Sequence, residues 1–121
     1  MAGSTLPVPE EFAGPDFFAS EIGASDNSMA SERGDSFPPR TLLIINSNRQ
    51  VWENETPPFY VLARPKGMKG WLLRRLEAAL PLALATEYTL SALHPAVEAI
   101  RVTDPRKWEI AGKMVFSGRR Y

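Results

Sequence analysis

No cysteine occurs among the 121 residues, which excludes disulfides, thiolate metal sites and cysteine nucleophiles. Histidine is nearly absent as well. The single His94 precedes Pro95 at the end of an apolar run, a place suited to capping carbonyls or facing water rather than to general-base work. Long hydrophobic runs are missing: the longest, AALPLALA over 78–85, is far shorter than the roughly 20 residues that cross a bilayer. MAGSTLPVPEEF has neither the basic region nor the apolar stretch of a secretory signal, and Ala2 stands where N-myristoylation needs glycine. The expectation is a soluble, intracellular protein with no transmembrane segment.

Catalytic signatures are also lacking. The sequence has no Gly-rich phosphate loop, no His-Glu metal spacing and no nucleophile elbow. Its acids from residue 40 onward are mostly separated, and the near pair Glu53 and Glu55 reads as a solvated loop. These absences point to a non-enzymatic protein with no catalytic residue, cofactor or metal.

Charge is balanced overall, with 14 basic and 14 acidic residues, but it is unevenly distributed. Residues 1–39 carry a net −6, and residues 40–121 carry a net +6. The acidic segment is also broken by Pro7, Pro9, Pro15, Pro38 and Pro39 and by four glycines, and it contains six serines. Such composition buries too little apolar surface to offset the entropy of ordering, so residues 1–39 read as a disordered acidic tail. Within that tail, DFFASEI places Phe18 and Ile22 four residues apart. Phe17, Phe18 and Ile22 are therefore candidate partner-binding residues, folding as a helical turn against another protein.

A compact basic domain is expected over residues 40–121. TLLIIN (41–46) and FYVLAR (59–64) are apolar at both parities, as strands covered on both faces are. QVW (50–52) reads as a strand returning from the Asn46–Arg49 turn. WLLRRLEAAL (71–80) forms a helical stripe with Arg74 opposite it. Pro81 then kinks that helix or opens a second one over 82–93. VEAIRVT and WEIAGKMVF form a second hairpin around Asp104-Pro105, with Trp108, Ile110, Gly112, Met114 and Phe116 on one face. The expected fold class is α+β, in the order β-β-β-α-α-β-β, with a mostly antiparallel sheet of about five short strands and a Pro-kinked helix or helix pair on one face.

The basic residues carry the functional expectation. Arg64, Lys66, Lys69, Arg74 and Arg75 surround Trp71, and Arg106, Lys107, Lys113, Arg119 and Arg120 accompany Trp108 and Tyr121. Cations hold phosphates, and nearby aromatics stack on bases. These ten residues are the candidate nucleic-acid-binding set, in a polyanion-binding domain that takes RNA or DNA and is modulated by the acidic tail. The alternative is a structural or adaptor protein that works through protein–protein or anionic-membrane contacts, using the tail or a sheet edge.

Three short motifs bear on these readings. Arg33-Gly34-Asp35 reads as a chance occurrence, and the sequon Asn54-Glu55-Thr56 reads as idle in a chain that is not expected to be secreted. Pro57-Pro58-Phe59-Tyr60 matches a ligand of WW-type modules, but Tyr60 runs directly into Val61-Leu62-Ala63, so the prolines read as a stiff entry to a strand. In organisation alone, a tail, this motif and a basic domain resemble the matrix proteins of some enveloped viruses. That resemblance implies an assembly role and identifies no family.

Overall fold

The computed structural model describes residues 14–23, 26–30 and 36–118. Among these, seven strands form a single sheet: β1 (Phe17–Glu21), β2 (Leu42–Asn46), β3 (Phe59–Pro65), β4 (Leu72–Glu77), β5 (Tyr88–Ser91), β6 (Ile100–Val102) and β7 (Trp108–Gly118). Their order across the sheet is β1-β2-β7-β3-β4-β5-β6, and every neighbouring pair is antiparallel. Among the described residues helix is confined to one turn, α1 (Arg49–Trp52), and a 3-10 turn over Pro105–Lys107.

This architecture corrects the expected α+β fold with its two helices and five strands. WLLRRLEAAL does not form a helix. Leu72–Glu77 is β4, hydrogen-bonded between β3 and β5. Its Leu, Arg and Glu residues favour helix in isolation, but apolar side chains at both parities also suit a strand with both faces covered. Leu76 lies on one face with Val61 and Leu90, and Leu73 lies on the other with Leu62 and Ile45. Beyond it, Pro81–Ala85 closes a turn in which Ala85 N–H donates to Pro81 O, and the chain re-enters the sheet as β5.

QVW is likewise not a strand. The Asn48 side chain accepts from Gln50 N–H and caps α1, which carries Trp52 into the core. Trp52 is held there by Nε1–H donating to Asn46 O at 2.9 Å. The second expected hairpin is also absent, because β6 pairs with β5 while β7 inserts between β2 and β3. In a flat sheet β6 and β7 would lie four spacings apart, roughly 19 Å. Only residues 103–107 connect them, so the sheet coils, and Val102, Trp108 and Ile110 gather at the same apolar cluster.

Two bulges set the phase of β7. Pairing skips Ala111 opposite Leu62/Ala63 and Val115 opposite Ile44/Ile45. Each extra residue reverses the alternation, so Trp108 and Ile110 face one cluster while Ala111 and Met114 face the other. The expected single face from Trp108 to Phe116 therefore does not exist.

The described part of 14–39 belongs to this fold, so the compositional boundary at residue 40 does not mark its edge. Phe17–Glu21 extends the sheet beside β2 instead of forming a helical turn. Ile22, Met29 and Phe37 are buried with Leu43, Ile45, Leu62 and Leu73 on the second face of the sheet. Phe37 also meets Tyr60 edge-on at 4.8 Å. A few well-placed apolar residues suffice here because a preformed sheet face supplies the rest of the contact area.

Candidate functional site

The turn between β3 and β4 and the 3-10 turn before β7 meet at one end of the sheet. Lys66 N–H donates to Lys107 O at 2.9 Å, which brings the two connections together. Gly67 and Gly70 both adopt positive φ, at 83° and 80°, and this lets the chain reverse within residues 66–71. Lys66, Met68, Lys69 and Trp71 are exposed around that turn, and Arg106 and Lys107 are exposed beside it.

Arg64 joins this group from the end of β3. Its guanidinium lies 4.0 Å over the Trp71 ring, and its Nε donates to Glu109 Oε2 at 2.7 Å. The stack fixes Trp71 in place while leaving it 38% exposed. Arg106 donates to Asp104 but remains 90% exposed along its side chain. The Arg106 hydrogen bonds and nearby cations hold the Asp104 carboxyl below its ordinary range. Lys66, Lys69 and Lys107 make no ion pair with another described residue. Five of the ten expected cations are thus brought together with one exposed indole.

Of the other five, the three that are described lie elsewhere. Arg74 is only 6% exposed and lies inside the protein, contrary to its expected place opposite a helical stripe. Burial lowers its pKa, and nearby Asp26 acts in the opposite sense. Arg75 sits mid-strand, 4.0 Å from Glu77. Lys113 is at the far end of β3, bonded to Glu55 and 5.1 Å from the Phe59 ring centroid. Arg119 and Arg120 lie outside the described residues, as does Arg33-Gly34-Asp35. Of the partner-binding candidates, Ile22 is core and Phe17 and Phe18 are in β1, where Phe18 remains 38% exposed.

Sequence reading missed a second polar cluster. Ser28 Oγ donates to Asp26 Oδ1 at 2.6 Å and accepts from Arg74 Nη1 at 2.9 Å, with Ser28 and Arg74 both buried. Asp26 and Ser28 are close enough in sequence to suggest a side-chain turn. Nothing local announces a partner 46 residues away.

Among the described residues no group of His, Asp and Glu is arranged to hold a metal ion, and no helix is long and apolar enough to cross a membrane. No family model matches this chain, and no curated protein shows significant similarity to it.

Proposed function

We propose that the protein binds a polyanion, RNA or DNA, through the end of the sheet formed by residues 64–71 and 105–107. It does so as a binding protein without catalysis of its own. The observation that carries this reading is the convergence of Lys66, Lys69 and Lys107, none paired with a described carboxylate, on exposed Trp71 with Arg64 stacked against it. Cations there neutralise phosphates, and the indole offers an apolar surface to an unpaired base. Among the described cations elsewhere, Arg49, Arg75, Arg101 and Lys113 each lie beside a carboxylate, Arg74 is buried and Arg40 is a single exposed cation, so the largest described grouping of cations is at this end.

The test is a salt titration of the whole chain against single- and double-stranded oligonucleotides. The logarithm of affinity falls linearly with the logarithm of salt, by about 0.7 per phosphate contact on a single strand. Lys66→Glu with Lys107→Glu flattens that dependence. Trp71→Ala weakens single-strand binding by about 1–3 kcal/mol per stacked base. Absence of binding at about 50 mM salt, where screening is weak, rules the reading out.

One observation favours a second reading, assembly through a sheet edge. Among the described residues β1 ends the sheet, and the partly exposed Phe18 lies on it. An added strand from another protein would pair there, and in that case the chain would associate independently of salt.

A further inference from the structure

Arg64 stands in the middle of a row that crosses three strands. On one side the β3–β7 register sets it opposite Glu109, and its Nε–H donates to Glu109 Oε2 at 2.7 Å. On the other side Ala63 pairs with Leu72, and one more step of that antiparallel register places Arg64 opposite Trp71. Residues directly opposite across antiparallel strands share a face, and the guanidinium lies 4.0 Å from the Trp71 ring centroid. It covers one side of the indole, yet Trp71 stays partly exposed. A carboxylate suits poorly a surface that only neutralises phosphates, because it offsets a cation beside it. It suits well the holding of a guanidinium in one orientation. Arginine is also the cation that stacks flat on an aromatic ring, which lysine does not.

Resting on the polyanion reading above, we propose that Glu109 and Arg64 are positioning residues that make this end of the sheet selective for single-stranded over double-stranded nucleic acid. Glu109 fixes the guanidinium, the guanidinium fixes the indole, and the open side of the indole takes one unpaired base. Inside a duplex the base faces are already stacked on one another, so only a single strand can use that surface. Lys66 and Lys69 lie in the connection that joins Arg64 to Trp71, and Lys107 is brought beside it by the Lys66 N–H bond to its carbonyl. These three hold the flanking phosphates, and they attract either form of nucleic acid. Three phosphate contacts on a single strand give a salt dependence of only about 2 in logarithmic slope. One stacked base adds about fivefold to a hundredfold in affinity, so stacking decides which form is taken.

The experiment measures the affinity of the whole chain for a labelled oligothymidylate and for the same strand paired with oligoadenylate, at about 50 mM salt. Wild type binds the single strand at least about fivefold more tightly, the low end of what one stacked base supplies. Trp71→Ala removes that preference and leaves duplex affinity within about twofold, since its lysines are intact. Glu109→Ala also loses the preference, because the guanidinium is released, while its duplex affinity rises with the loss of a negative charge. Glu109→Gln separates position from charge. Its side-chain carbonyl still accepts from Arg64 Nε–H, so binding to both probes rises and the preference survives. Arg64→Lys keeps the charge without the flat stack and behaves like Trp71→Ala. An undiminished preference in both Glu109→Ala and Arg64→Lys overturns the proposal and leaves polyanion binding standing, as does a wild type that takes both probes equally. Absence of binding to either probe overturns the proposal together with the reading beneath it.

Discussion

Arg74 Nη1 donates to Ser28 Oγ at 2.9 Å, tying strand β4 to a segment 46 residues earlier in the chain. The guanidinium is a fastener in the interior, and its removal leaves polar groups without partners. Arg74→Ala is expected to cost about 2–4 kcal/mol, and Ser28→Ala about 1–3 kcal/mol. Their double variant should cost less than the sum, since both remove the same contact. Urea denaturation of the four proteins measures this. A change below about 0.5 kcal/mol for Arg74→Ala is what a surface position would show.

Truncation gives a second expectation. Deleting residues 1–38 removes β1 together with Ile22, Met29 and Phe37, and so uncovers one face of the sheet. The shortened chain should lose its cooperative thermal transition or melt far earlier. Ile22→Ala alone is expected to cost about 2–4 kcal/mol. An unchanged melting temperature after the deletion would show that this segment does not pack on the sheet.

Gly112 of β7 packs against Ile45 and Asn46 at the end of β2. A Cβ there would stand 2.6 Å from Ile45 Cγ2 and 2.8 Å from the Asn46 carbonyl carbon. Backbone on one side and a buried side chain on the other leave little room to yield. Gly112→Ala should therefore destabilise by about 1–3 kcal/mol, measured by chemical denaturation. Gly67→Ala meets no neighbour, so its cost comes only from the positive φ.

Tyr88 links stability to alkaline pH. Burial raises its phenol pKa above the ordinary value, with Arg49 opposing more weakly. In the unfolded chain the phenol ionises near pH 10, whereas the folded state resists ionisation. The stabilisation is thus complete below about pH 10 and is lost as pH rises through the higher folded value. Tyr88→Phe keeps the ring and removes the proton, so its stability should fall less steeply above about pH 10. Denaturation midpoints from pH 8 to 11 decide this.

Some of this structure is legible in the residues themselves. TLLIIN and FYVLAR are apolar at both parities and become β2 and β3, strands with a core on each side. The Pro-Pro pair ends where β3 begins, with Tyr60 half-buried against Phe37. Arg64, Lys66, Lys69, Arg106 and Lys107 are recognisable as two basic groups. The fact that they form a single end of the sheet is not legible, because it depends on the pairing of Pro65 with Trp108.

What the sequence determined by itself was the supply of materials: apolar segments able to be covered twice, turn residues between them, no cysteine chemistry, and cations in two clusters. Tertiary structure decided helix against strand over 72–77, because Leu72, Leu73 and Leu76 fit either period and only the neighbours β3 and β5 select one. It also decided that Arg74 is inside and that Ile22, Met29 and Phe37 are core. Burial is a property of what packs on a residue from distant parts of the chain, and local composition carries no record of those partners.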